Sequence, residues 1–301
     1  MKLQYFRGSR PNFGDELNTW LWPQLLPEFL DDDPSVVFIG IGSIIGAPYE
    51  ATAKKVVFGT GYVPSYHSTV PNVHGGDWDI FCLRGPRTAR ALGLPEEIGI
   101  GDAAILIRAL NIEVQRQPRV VGFMPHWESV QRGNWHTVCK LAGIRLIDPS
   151  GPVDHVIADI LNCEVLLTES MHGAIVADAL RVPWIPLLPI EHIHRDKWFD
   201  WADAMELQLR PHRLWPSNAD EIMRNAVCWP RLSRVAQCLA RQRVSRLSGP
   251  IITYAAAQRL SRLAKEQPLL SADAVLNRVL ERMVEKLAQL ERRYRKGVRC
   301  A

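Results

Sequence analysis

The sequence predicts an α/β fold of two Rossmann-like domains facing a cleft, followed by a helical C-terminal extension. Three observations carry that expectation. Short runs rich in Val, Ile and Phe alternate with one-faced helical segments over residues 1–110, and a second alternating series follows. A polar break at 111–118, with Glu113, Gln115, Arg116, Gln117 and Pro118, separates the two. Beyond about residue 220 the pattern is helical throughout. Strands that alternate with helices pair in parallel through βαβ units. The two series therefore imply a first domain at 1–112, a second at 118–215 and a basic helical region at 216–301.

Residues 3–6, 35–41, 55–58 and 79–83 read as strands of the first domain, because β-branched and aromatic residues cluster there. Helices are expected at 14–22 and 86–92. The second has Pro86 at its first position and Gly93 just past its end, the usual start and stop. In the second domain, strands are expected at 119–124, 144–147, 165–168 and 184–187, with helices at 136–142, 153–161 and 172–180. Val153, Val156, Ile157, Ile160 and Leu161 share one helical face. Near the end, Leu276, Leu280, Met283, Leu287, Leu290 and Tyr294 step by four and three. Such a seam serves either packing on its own domain or a contact with a second copy or a partner helix.

The composition, 47% hydrophobic and 23% charged, is that of a globular chain and argues against bulk disorder. No apolar run approaches the roughly 20 residues that span a bilayer, and the start lacks a signal-peptide core, so a cytoplasmic location is expected. Cysteines 82, 139, 163, 228, 238 and 300 are scattered, which reads as reduced, mostly buried thiols rather than disulfides or zinc ligands. Residues 231–301 hold 16 Lys and Arg against 5 Asp and Glu, a formal +11, while 1–230 hold 20 against 27, a formal −7. A basic end of this kind fits an anionic membrane surface, or a lipid diphosphate at one. It carries no nucleic-acid motif, so nucleic acid is not an expected partner. The plain alternative is a solvated basic helix face.

Several strand ends carry chemistry. Gly40-Ile41-Gly42-Ser43, Gly59-Thr60-Gly61 and Gly99-Ile100-Gly101 let backbone N–H groups approach a ligand closely, or simply make tight turns. None completes a dinucleotide fingerprint, since Ile45 stands where glycine or alanine is needed. Asn12-Phe13-Gly14-Asp15 opens a helix, with Asn12 as cap and Asp15 reciprocating, or as polar groups at a ligand site. Arg84-Gly85-Pro86-Arg87 sets two cations at a helix start, where the macrodipole disfavours them, and an anion between them would remove the conflict. Thr168-Glu169-Ser170-Met171-His172-Gly173 runs from strand into helix. His172 shares a stripe with Ile175, Val176, Ala179 and Leu180, so it is either a core histidine or a group whose acid form a dianionic ligand would favour. His126 and the charged loop His192-Ile193-His194-Arg195-Asp196-Lys197 are further candidates. His-x-His without a third and fourth ligand at a fixed spacing does not predict a metal.

At these residues the chain resembles the polysaccharide pyruvyl transferase family, which includes ketal pyruvyltransferases of succinoglycan and xanthan synthesis. The resemblance rests on Asn12-Phe13-Gly14-Asp15, Gly40-Ile41-Gly42-Ser43, Arg84-Gly85-Pro86-Arg87-Thr88, Gly101-Asp102 and Ser170-Met171-His172-Gly173-Ala174. It implies a fold like the two-domain B-type glycosyltransferases, phosphoenolpyruvate as donor, no cofactor, and a hexose of a lipid-linked repeat unit as acceptor. Catalysis would fall to His172 as general acid, with Glu169 or Asp15 taking the sugar hydroxyl's proton. Arg84, Arg87, Ser170, Met171, Gly173, Lys197 and His126 would bind the donor. Asn12, Gly42, Ser43, Gly61 and His194 would serve the acceptor or its loops. Family members often have Arg-x-His where this chain has Ser170-Met171-His172, so Arg84, Arg87 or Lys197 is expected to supply the missing charge. Two other readings remain: a sugar-nucleotide glycosyltransferase with Glu191 on the ribose, and a scaffold that binds a partner helix through 276–294.

Overall fold

The computed structural model describes residues 1–67, 69–110, 112, 120–188, 195–225 and 234–295. The chain forms two compact units. The first comprises Met1–Glu113, Asp196–Leu209 and Ser271–Ala301, and the second comprises Val114–Arg195 and Arg210–Leu270. Of the expected linker at 111–118, all but Ile112 lies outside the described residues.

In the first unit β1 (Lys2–Gln4), β2 (Val36–Ile39), β3 (Lys54–Phe58) and β4 (Trp78–Cys82) form a parallel sheet in that order. Both faces are covered, as parallel sheets require. Val37, Ile39, Val57 and Leu83 pack with Ala89 of α2 (Pro86–Ala91) and with Leu92 just beyond it. On the other face α1 (Phe13–Leu25) sets Trp22 edge-on to Phe38 and Phe58, with ring centroids 4.7 and 5.5 Å apart. Helix α2 starts and stops as predicted: Pro86 leads it, and Gly93 takes a left-handed φ of 70° while Leu94 N–H bonds the Ala89 carbonyl at 2.9 Å. Helix α1 departs from its expected capping box. Asn12 occupies the cap position but its side chain caps no N–H; its amide donates instead to the Asp15 carboxylate at 2.7 Å.

The last helix, α10 (Asp273–Tyr294), belongs to this unit because its apolar seam is consumed here. Leu276, Met283 and Leu290 are fully buried, and α10 lies on β4 and on the tight helical turn Ala103–Ala109. Most of the 276–294 seam is therefore buried within its own unit, the plain packing its spacing allowed, with Leu280 and Tyr294 half-buried. Two of its arginines find carboxylate partners in the same unit and a third finds a backbone carbonyl. Arg278 pairs with Glu206, Arg293 meets Asp79 at 2.7 Å, and Arg282 donates to the Glu97 carbonyl at 2.8 Å. Part of the charge asymmetry along the sequence is thus the two sides of one internal interface.

The second unit holds a parallel sheet in the order β6-β5-β7-β8-β9: β5 (Val120–Met124), β6 (Arg145–Leu146), β7 (Cys163–Thr168), β8 (Trp184–Leu188) and β9 (His212–Arg213). Two-residue β9 has no periodicity to betray it. Its core joins Phe123, Leu167 and Ile185 to Trp135 of α4 (Trp135–Ala142) and to Ala256, Leu260 and Leu263 of α9 (Arg234–Leu263). Residues 216–301, expected as one region, are accordingly shared between the units. Helix α8 (Ala219–Asn225) is tied to α4 by the buried Glu221 carboxylate, which accepts Trp135 Nε1 at 2.9 Å and Ser217 N–H at 2.6 Å. Burial pushes the Glu221 pKa up, and these hydrogen bonds hold it back.

Candidate active site

The carboxyl edge of the second sheet brings together residues that lie apart in sequence. Strand β5 ends at Met124 and β7 at Thr168, paired in register. The Thr168 hydroxyl lies 3.2 Å from the Met124 carbonyl and 2.9 Å from the Ser170 carbonyl, and accepts Ser170 N–H at 3.0 Å. This turn delivers the chain into α6 (Met171–Ala179), all of whose residues are buried. Gly173 allows the approach: a Cβ there would sit 2.6 Å from Met124 Sδ and 2.9 Å from Thr168 Oγ1. Glu169 is fully buried and its carboxylate accepts the His126 backbone N–H at 3.0 Å, fixing the start of α3 (Trp127–Arg132). The His126 ring, itself buried, stands 3.6 Å from Glu128. His172 is the second residue of α6 and is 8% exposed. Ser170 holds the N-cap position without a side-chain cap bond, so the first-turn N–H groups gain no capping bond from it. The structure thus gathers His126, Glu169, Ser170, Met171, His172 and Gly173 at one strand edge.

The first unit's edge is built differently. Arg84 follows β4 with no exposure at all. Its Nε donates to Asp200 at 3.0 Å, and its Nη1 to the Ser43 hydroxyl at 2.6 Å and the Gly42 carbonyl at 3.4 Å. Its Nη2 is buried with no hydrogen-bond partner among the described residues. Asp200, on α7 (Asp196–Ala204), also accepts Thr88 N–H at 2.9 Å and the Thr88 hydroxyl at 2.6 Å. Two glycines make room: a Cβ on Gly61 would lie 2.1 Å from the Arg84 guanidinium carbon, and one on Gly85 would lie 2.0 Å from the Asp200 carbonyl oxygen. Arg87, half exposed, makes a two-pronged pair with Asp203 at 2.6 and 3.3 Å, which raises its already high pKa. The charge conflict at the start of α2 is therefore answered by two carboxylates of α7. Asn18 fixes the neighbouring loop by accepting Ile41 N–H at 2.9 Å and donating to the Ile41 carbonyl at 3.0 Å.

Asp15 sits half-buried on the first turn of α1 and Lys197 half-buried on α7, both in the first unit. His194 and Glu191 lie outside the described residues. Among the described residues no group of three His, Cys, Asp or Glu gathers where it could hold a metal, and no helix is long and apolar enough to cross a membrane. Sequence reasoning missed Asp200 and Asn18, and it offered Arg195 only as part of the charged loop 192–197. Carboxylates at 196, 200 and 203 fall on one helical face, a spacing that could have paired them with the arginines. Arg195 feels the Glu169 charge: burial and then Arg213 lower its pKa, and Glu169 opposes them. It is a cation of the unit that carries Ser170-Met171-His172.

Parallel sheets with histidine, carboxylate and arginine assembled at the strand ends are the build of an α/β enzyme. The sequence profile of the polysaccharide pyruvyl transferase family matches residues 12–189, and the chain belongs to that family, which makes it a transferase. Over 226 residues it is 38% identical to the succinoglycan biosynthesis protein ExoV of Rhizobium meliloti (strain 1021), covering 74% of this chain and 71% of that protein. No solved structure matches the chain.

Proposed function

We propose that the protein carries pyruvate from phosphoenolpyruvate to a hexose of a lipid-linked repeat unit, closing a pyruvate ketal in exopolysaccharide biosynthesis. The observation that carries this reading is the turn at 168–173: a buried histidine on the uncapped first turn of a helix, at a parallel-sheet edge, in a chain of this family. Helix N-termini suit phosphate. His172 protonates the donor's methylene carbon, and a sugar hydroxyl adds to the adjacent carbon as it loses its own proton. The C–O bond to phosphate then breaks, and a second hydroxyl attacks the resulting oxocarbenium centre, giving the ketal and inorganic phosphate. The step needs proton transfer and fixed positive charge. Because Arg84 and Arg87 are held by Asp200 and Asp203, we assign the donor's charge to Arg195 and the first turn of α6. Glu169, buried against the His126 backbone, positions the turn, and Asp15 is the more open carboxylate for the hydroxyl proton. Two parallel-sheet units suit a B-type glycosyltransferase arrangement.

The assay is phosphate release and ketal formation from phosphoenolpyruvate and an oligosaccharide acceptor. His172→Ala is expected to lose at least about a hundredfold in rate with an unchanged circular dichroism spectrum; full activity in that variant refutes the assignment. Peripheral attachment to an anionic membrane belongs to the same reading. Helix α9 contains six Arg and no Asp or Glu, and it exposes Ile251 and Tyr254. Flotation with anionic vesicles at low salt should carry the protein upward, and its absence from the floated fraction counts against attachment.

A further inference from the structure

At the carboxyl end of β1 the first unit has a hollow that the transfer chemistry above does not use. Tyr5, Phe6 and Arg7 leave the strand and, with Gln4, Ile44, Ala47 and Tyr49, line a space of about 210 Å³. Three of its seven walls are aromatic. Phe6 is 54% exposed, so its ring is open to a ligand in this hollow. The Arg7 guanidinium lies 4.9 Å over the Tyr5 ring, which orders both. Tyr49 is fixed as well: its hydroxyl donates to the Ile44 carbonyl at 2.6 Å and its ring stands edge-on to Trp78 at 6.0 Å. The wall is therefore set before any ligand arrives.

We infer that this hollow seats one pyranose ring of a saccharide, and, on the reading proposed above, a ring of the acceptor. A pyranose presents a face of C–H groups made slightly positive by the ring oxygens, and such a face meets the negative face of an aromatic ring. Its rim of hydroxyls needs hydrogen-bond partners, which the Gln4 amide and the Arg7 guanidinium provide. A polyprenyl chain would ask for a long apolar channel, and this hollow is short with polar groups on its lining. A phosphate would ask for several converging donors, and here the one cation lies over a ring. The space is below the range of drug-sized sites, which suits one sugar residue rather than an oligosaccharide. Ligands of parallel sheets sit beyond the carboxyl ends of the strands, where this hollow lies.

The test has two arms on the full chain. In the turnover arm, Phe6→Ala should raise KM for the oligosaccharide acceptor about tenfold, with KM for phosphoenolpyruvate and kcat at saturating acceptor within about twofold. An unchanged acceptor KM overturns the proposal. In the binding arm, saturation-transfer NMR with β-linked and α-linked glucose tetrasaccharides, and no donor, should label sugar ring protons in the wild type and lose that signal in Phe6→Ala. Absence of signal in the wild type, or capture of farnesyl phosphate in place of sugar, overturns it. Signal lost in Phe6→Ala without any pyruvate transfer would sink the pyruvyl reading and leave the saccharide site standing.

Discussion

Two strand-to-helix turns, β4 into α2 and β7 into α6, occupy matching places at the carboxyl ends of their sheets and do opposite things. At the first, a fully buried arginine is matched by a nearly buried aspartate of the same unit, and a second arginine by a second aspartate. At the second there is no arginine of its own, the carboxylate serves a backbone N–H, and the helix begins without a side-chain cap. A charged motif at a strand end is therefore not by itself a ligand site. What separates scaffold from site is whether the unit supplies the counter-charge. By that measure we propose that Arg84-Gly85-Pro86-Arg87-Thr88 serves the fold and that 168–173 receives the anion.

The comparison breaks most visibly at Arg84. Arg84→Ala leaves Asp200 buried without its cation, and stability should fall by about 3–5 kcal/mol, read as a large drop in the melting temperature of purified protein. Asp200→Ala should fall similarly, and a double-mutant cycle should return a coupling of at least about 1 kcal/mol. Independent effects at these two sites would mean that the pair does not organise the turn. Next comes Gly173→Ala. Its Cβ must displace Met124 or Thr168, at a cost of about 1–3 kcal/mol. Because that shift moves the helix bearing His172, kcat should drop more than KM for phosphoenolpyruvate rises. Arg87→Ala, at a half-exposed pair, should cost under about 1 kcal/mol and leave the donor's affinity unchanged; a marked loss of affinity would return Arg87 to the site. Smallest is the thiol test. Burial raises Cys82, Cys139 and Cys163 to a pKa of about 12. Iodoacetamide at pH 8 should leave these three unmodified in the native protein by mass spectrometry, and their ready alkylation would contradict the packed cores described.

Much of the fold was legible because parallel strands buried on both sides announce themselves as apolar runs. Helix α5 (Val153–Leu161) falls where its one-faced spacing puts it, and α2 stops at Gly93 for the reason its sequence suggests. Strand β9 and the return of α10 to the first unit were not legible, since pairing partners far apart in sequence decide them. The 276–294 seam shows the limit well: its periodicity told that a face is buried, and only packing tells against what. The same holds for the site. That His172 and Glu169 fall where a strand runs into a helix could be read from local pattern, whereas the pairing of Asp200 with Arg84, 116 residues away, could not. Asn12 looked like a helix cap and proved to bond Asp15, a choice between two local hydrogen bonds that sequence does not settle.

The most direct measurement is calorimetric titration of phosphoenolpyruvate into the wild type, Arg195→Ala and Arg87→Ala, each with and without an oligosaccharide acceptor. If the donor's charge is met in the second unit, binding weakens by about tenfold or more in Arg195→Ala and stays within about twofold of wild type in Arg87→Ala. The reverse pattern, with Arg195→Ala binding as wild type and Arg87→Ala failing to bind, would contradict the account.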